Sequence, residues 1–130
     1  PRACHETELN YNPTTTKKKV AVVGAGPAGL SAANIAAQRG HDVTLYDADS
    51  ETGGQFNIAK QIPGKEEFYE TIRYFGERIK ETGVELKLNQ KIDSEFLKEA
   101  NYDQVVIATG IEPRNPGIDG IDHKKVMTYL

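Results

Sequence analysis

Gly24, Gly26 and Gly29 stand in a Gly-x-Gly-x-x-Gly pattern, with Pro27 and Ala28 filling the last gap and Asp47 some way beyond. A glycine at the first position permits a turn that a Cβ forbids. At the second it lets main chain approach an anion, and at the third it lets a helix pack close to a strand. Pro27 suits the first turn of a helix, where its missing N–H costs nothing. The unpaired N–H groups and positive end of such a helix face a phosphate. An acid roughly 20 residues further on accepts from ribose hydroxyls. The chemistry this set can do is to hold the pyrophosphate and ribose of a dinucleotide.

Three glycines alone can mark an ordinary turn, so the elements around them decide. Val20–Val23 reads as an apolar strand entering the turn, and Leu30–Arg39 as a helix of small residues stopped by Gly40. Asp42–Tyr46 is a second strand that ends at Asp47. Residues 48–60 read as a loop containing Gly53-Gly54-Gln55. Between Gly64 and Thr82, Phe68, Ile72, Phe75 and Ile79 share one helical face and are expected in the core. Glu66, Glu67, Glu70, Arg73, Glu77 and Lys80 form its solvated side.

Gly83 ends that helix, and Val84–Leu88 alternates as a strand. Asp93–Leu97 reads as a short helical turn at most. Tyr102–Ala108 is a largely apolar strand, suited to a parallel sheet covered on both faces and closed by Thr109-Gly110. The coarse order is β-α-β-α-β-β, an α/β doubly wound parallel sheet of Rossmann-like kind. Right-handed crossovers predict the strand order Val84, Val43, Val20, Val105. That order brings Gly24, Asp47 and Thr109 to one edge, where such sheets bind ligands.

A chain of 130 residues amounts to about one domain. It starts at Pro1, its only Met is Met127, and its apolar C-terminus ends at Leu130, so a piece of a longer protein is expected. Residues 1–16 read as a linker or extended arm, and 17–130 as the dinucleotide-binding domain. A net charge of −3 gathers no nucleic acid, and Lys17-Lys18-Lys19 reads as a solvated lead-in. No apolar run approaches the ~20 residues needed to span a bilayer, so no membrane association is expected. The single Cys4 excludes an internal disulfide framework and points to a reducing, cytoplasmic setting. His5, His41 and His123 lack metal-ligand spacing, and surface positions are expected for them, His41 in the turn after the first helix. Tyr46 is expected to pack rather than flank an adenine. No catalytic or metal-ligating residue is expected.

The turn fits NAD, NADP or FAD. Ala48 and Asp49 follow Asp47, so no arginine waits for a 2′-phosphate, which argues against NADP. Gly53-Gly54-Gln55 offers a second stretch of exposed backbone and an amide beside the pyrophosphate, which favours FAD. Gly24–Leu30, Asp47, Gly53-Gly54-Gln55 and Val105–Gly110 together resemble the FAD-binding half of the two-dinucleotide-binding flavoproteins, the glutathione and thioredoxin reductase superfamily. A closer resemblance spans almost the whole chain. Pro1–Glu6, Gly40–Leu45, Gly53–Phe68 and Ile118–His123 are similar to the NADPH-dependent 2,4-dienoyl-CoA reductases of the trimethylamine dehydrogenase group.

The resemblance implies an FAD-binding region that follows a barrel carrying FMN and a 4Fe-4S cluster and is interrupted by an NADPH-binding domain of the same chain. Cys4 matches none of that family's cluster ligands. Electrons would pass from NADPH through FAD, the cluster and FMN to a dienoyl-CoA in unsaturated fatty acid β-oxidation. By this likeness Gly24, Gly26, Pro27, Ala28 and Gly29 hold the FAD pyrophosphate, and Asp47 accepts from the adenosine ribose. Gly53, Gly54 and Gln55 run along the diphosphate and ribityl chain, and Thr109 and Gly110 pass close to the cofactor. The substrate-protonating residues of that family have no counterpart here, so the chain alone is expected to be catalytically silent. Two other readings stay open: an ADP-binding module of a trimethylamine dehydrogenase-like enzyme, and the NAD-binding domain of a dehydrogenase.

Overall fold

The computed structural model describes residues 3–127. Pro1, Arg2 and the apolar terminus Thr128–Leu130, on which some expectations fall, lie outside them. Four strands, β1 (Lys19–Val23), β2 (Asp42–Tyr46), β3 (Glu85–Lys87) and β4 (Gln104–Ile107), pair in the order β3-β2-β1-β4. Every pairing is parallel, and Val23 stands level with Tyr46 on one side and Ile107 on the other. Four helices connect the strands: α1 (Pro27–Gln38), α2 (Phe56–Ala59), α3 (Glu67–Glu81) and α4 (Ser94–Glu99). The expected fold class and strand order are those observed.

The core forms where parallel strands are covered on both faces. β1 and β2 each bury four consecutive residues, and Val22, Leu45 and Leu30 lie with Ala33 and Ile79 in one apolar cluster. Small side chains on α1 allow that helix to lie close to the sheet. Its start is at Pro27 rather than Leu30, because Pro27 occupies the first helical position with its φ already set.

Three expectations require correction. The segment after Asp93 is a six-residue helix, since the Asp93 carboxylate accepts from Phe96 N at 2.8 Å and caps it. It makes the β3 to β4 connection helical, as parallel strands require. The loop at 48–60 contains α2, whose Phe56 ring stacks on Phe68 at 4.3 Å. The third concerns β4. Val105 and Val106, which point to opposite faces, are 40% and 37% exposed, and Ile107 is 64% exposed. A parallel strand is buried only where helices lie on it. α1 reaches β4, but residues 108–127 contribute no helix to cover the rest.

The expected apolar face of α3 exists but serves two places. Ile79 is in the main core and Phe75 packs against it. Ile72 lies under Gly53, and Phe68 leaves the core to hold α2. The opposite side carries solvated pairs, Arg73 with Glu70 at 2.7 Å and Lys80 with Glu77 at 2.9 Å.

Tyr46 packs as expected. It is buried, meets Phe96 edge to face, and its hydroxyl lies 2.7 Å from that of Tyr102. Burial first, then the Tyr102 hydroxyl, pushes its phenol far above the usual tyrosine range. His41 is half-buried rather than fully exposed, because Lys18 N–H meets its Nδ1 at 3.3 Å. The described part of 1–16 is mostly exposed, but Thr14 N donates to Arg39 O at 2.7 Å and Arg39 Nε donates to Asn12 O at 3.1 Å. Those two bonds fasten the arm to the end of α1.

Candidate functional site

The parallel register ends level, and the cleft begins there. Gly24 N donates to Tyr46 O at 2.8 Å, and Ala108 N donates to Val23 O at 2.7 Å, so all three strands hand over to loops at one height. The turn that follows β1 is possible only with its glycines. Gly24 has φ +106°, and a Cβ there would lie 2.2 Å from Ala108 O. A Cβ on Gly29 would lie 1.8 Å from Gly24 O, so α1 can sit against the turn only because that position is bare.

Gly26 differs from both. Its φ of −73° is one that any residue adopts, and a Cβ there would meet nothing within 4 Å. It faces open space in a cleft of about 790 Å³. Leu30 N donates to Gly26 O, the first bond of the helix, and Pro27 has no N–H to offer. Among the described residues the N–H groups of Gly26, Ala28 and Gly29 therefore find no acceptor. Three such donors at a helix N-terminus attract an anion.

The cleft walls come from three loops. Gly24, Gly26, Pro27 and Ala28 line one side, Asp47, Gly54 and Gln55 a second, and Thr109 and Gly110 a third. Gly29 and Gly53, named with them from the sequence, are buried behind the lining. Gly53 has φ +122° and rests against Asn57 and Ile72, while its N–H donates to Ala25 O at 2.8 Å. That bond ties the second glycine loop to the first. Gly54 then approaches Gly26 closely enough that a Cβ would lie 3.2 Å from the Gly26 Cα.

Two side chains are already engaged. Asp47 accepts from Ala25 N through Oδ2 and from Asp49 N at 2.8 Å through Oδ1. The Gln55 amide crosses the cleft and donates to Ile111 O at 3.1 Å. Asp49, read from the sequence as unfavourable to a 2′-phosphate, lines the cleft, as do Glu51 and Glu112, which sequence reasoning did not name. Nor did it name Phe56, Asn57 and Ile58, which follow Gln55 directly and reach the lining because α2 turns back over it. Four carboxylates and no lysine or arginine surround the space. An anion held here is held by main-chain N–H groups and the helix end.

The residues present fit a dinucleotide pyrophosphate: an open approach at Gly26, free donors on Gly26 and Ala28 at the lining, and a cleft of ligand size. A phosphate lying beside Asp47 would also meet Asp49 and Glu51, with no lysine or arginine in the lining to offset them. Among the described residues no helix is long and apolar enough to cross a membrane.

Comparison with known proteins agrees with this fold. The chain is 39% identical over 116 residues to bilirubin reductase of Mediterraneibacter gnavus, a stretch covering 89% of this chain and 18% of that one. The structure of 2-naphthoyl-CoA reductase with 2-naphthoyl-CoA superposes with a TM-score of 0.93 at 42% identity, over 99% of this chain and 20% of that one. Histamine dehydrogenase from Rhizobium sp. 4-9 superposes with a TM-score of 0.77 at 33% identity, over 82% of this chain and 17% of that one. The chain thus spans about a fifth of these relatives' length. The profile of the pyridine nucleotide-disulphide oxidoreductase family matches residues 18–130. The chain belongs to that family, flavoprotein oxidoreductases built around an FAD/NAD(P)-binding domain and related to both reductases and amine dehydrogenases.

Proposed function

We propose that this chain is the FAD-binding portion of an oxidoreductase in which electrons from NADPH reach a 2,4-dienoyl-CoA by way of FAD, an iron–sulfur cluster and FMN. The observation that carries the reading is the pair of free N–H groups on Gly26 and Ala28, which line a cleft without cations, backed by that of Gly29 behind the lining. A pyrophosphate suits such a mouth. The likeness to a reductase that takes an acyl-CoA supports the thioester part of the reading.

Residue roles follow from position. Gly24 and Gly29 shape the turn, and Gly26, Pro27 and Ala28 receive the pyrophosphate. Asp47 stands at the adenosine ribose, Gly53 and Gly54 carry the neighbouring loop, and Gln55 with Thr109 and Gly110 borders the path toward the flavin. Bound FAD supplies the capacity to accept a hydride and release electrons one at a time. The chain's own residues bind and orient, and none is assigned a proton transfer, so the chain by itself turns over no substrate. Cys4 is its one thiol and is exposed, and a cluster takes four such ligands. Cluster, FMN and NADPH are therefore assigned to other domains of a cytoplasmic protein. Residues 1–16 would be the arm leading from the iron–sulfur region and 17–130 the FAD domain.

The test uses the full-length protein purified without oxygen. Released cofactors are identified, and NADPH oxidation is followed with a 2,4-dienoyl-CoA. Stoichiometric FAD together with dienoyl-CoA-dependent turnover is expected. A second reading, drawn from the resemblance to the trimethylamine dehydrogenase group, is that the site holds ADP and takes no part in electron transfer. Release of ADP in place of FAD would overturn the first reading in favour of the second.

A further inference from the structure

The Asp47 carboxylate is placed to do more than wait for a ligand. It sits at the end of β2, yet its Oδ2 accepts from Ala25 N, in the middle of the glycine turn, and its Oδ1 accepts from Asp49 N at 2.8 Å. The first contact joins β2 to the turn that precedes α1. The second closes an Asx turn that directs residues 49–51 along the rim of the cleft. Main-chain bonds also join these loops, Gly24 N to Tyr46 O and Gly53 N to Ala25 O, and Gln90 N to Asp47 O and Asn89 N to Asp49 O hold the 47–49 stretch from its other side. Ala25 is buried, so its N–H needs an acceptor inside the protein.

The consequence concerns the donors left for a ligand. With Ala25 N–H taken by Asp47, the free donors are those of Gly26, Ala28 and Gly29, all at the start of α1. The carboxylate keeps its negative charge, and two charge-assisted bonds from main-chain N–H groups hold it in place beside the turn. Asparagine keeps one acceptor and presents an NH₂ to the other amide, so it can hold only one of the two bonds.

We propose that Asp47 is a positioning residue, setting the glycine turn and the 49–51 rim through Ala25 N–H and Asp49 N–H, rather than a group whose worth lies in accepting from the ribose hydroxyls. The proposal rests on the reading of the cleft as an adenine-nucleotide site. It differs from that reading in what it predicts for nucleotides that lack a hydroxyl.

The experiment has two arms, both on the full-length protein. In the first, without ligand, amide hydrogen exchange at Ala25 and Asp49 is compared between wild type and Asp47→Asn, with Asp47→Ala added where it folds. Faster exchange at one or both amides, with the other residues of β1 and β2 unchanged, is expected. Unchanged exchange at both overturns the proposal, whatever binds in the cleft. In the second arm, flavin-stripped protein is titrated with ADP, 2′-deoxy-ADP and 3′-deoxy-ADP. Loss of one charge-assisted bond is expected to weaken ADP about tenfold in Asp47→Asn, and both deoxy nucleotides by the same factor. A variant effect that disappears when either hydroxyl is absent places Asp47 on that hydroxyl and overturns the proposal. Failure of wild type to bind any of the three overturns the nucleotide reading instead, and the exchange arm then decides the Asp47 contacts alone.

Discussion

The two sides of this sheet are built to different standards. On one side, β1 and β2 each bury four of their five residues, α1 packs Gly29, Leu30, Ala33 and Asn34 against them, and the glycine turn between them has no room for two added Cβ atoms. On the other side, β4 leaves Val105, Val106 and Ile107 between 37% and 64% exposed, and the chain beyond it carries no helix or strand among the described residues. Both sides contribute to one cleft. The geometry of the site is stored in the tightly packed βαβ side, which sets the anion mouth before any ligand arrives. The β4 side supplies Thr109 and Gly110 to the wall from a strand whose own faces are largely open.

The largest loss is expected at Gly29. A valine there places its Cβ 1.8 Å from Gly24 O, a backbone atom that cannot move without moving β1. We expect Gly29→Val to cost more than about 4 kcal/mol, beyond the usual range for overpacking, and urea unfolding should show no native baseline. Next comes a matched pair. Leu45 is fully buried, and Leu45→Ala should cost about 3 kcal/mol. Ile107→Ala, at 64% exposure, should cost under about 1 kcal/mol in the same urea titration. Equal costs would mean that the β4 side is as well packed as the first and that the contrast is wrong.

Legibility in the sequence follows the same divide. The strands β1 and β2, the glycine turn and Asp47 could be placed because each carries a local signal: apolar runs, a fixed glycine spacing, an acid at the strand end. The strand order followed from topology rules applied to those elements. What could not be read depended on distant partners. Phe68 had helical spacing, but its pairing with Phe56 joins residues from two separate segments. The apolar composition of β4 predicted burial, whereas burial depends on what lies above the strand. Gln55 was read as a ligand contact from its place beside two glycines, and no local pattern announces its bond to Ile111 O. The six residues of α4 were too few to show a period, and its cap at Asp93 was the available signal.

A smaller effect separates shape from stability within the turn itself. Gly26→Ala adds a Cβ that meets nothing within 4 Å at a backbone angle alanine accepts, so the urea midpoint should stay where it is. The added methyl occupies the space by which a phosphate reaches the three N–H groups. ADP binding, measured by titration calorimetry, should fall about tenfold, or about 1.4 kcal/mol. A variant that loses stability instead would show that Gly26 belongs with Gly24 and Gly29 as a packing glycine.

The smallest effect is expected at Tyr46, which ties the packed side to α4 and to the approach of β4. Tyr46→Phe keeps the ring against Phe96 and removes the bond to the Tyr102 hydroxyl, which should cost about 1 kcal/mol at neutral pH. The pH dependence gives the sharper test. Burial raises the Tyr46 phenol above its ordinary value of 10.0, so the unfolded chain loses that proton first. The stability it contributes is complete below pH 10 and declines as pH rises further, since the unfolded state then binds fewer protons than the folded one. Wild type should therefore lose stability above pH 10 more steeply than Tyr46→Phe, and the two urea midpoints should converge. Parallel midpoints across that range would mean that the Tyr46 hydroxyl reaches water, and that the packed side of the sheet ends one residue earlier, at Leu45.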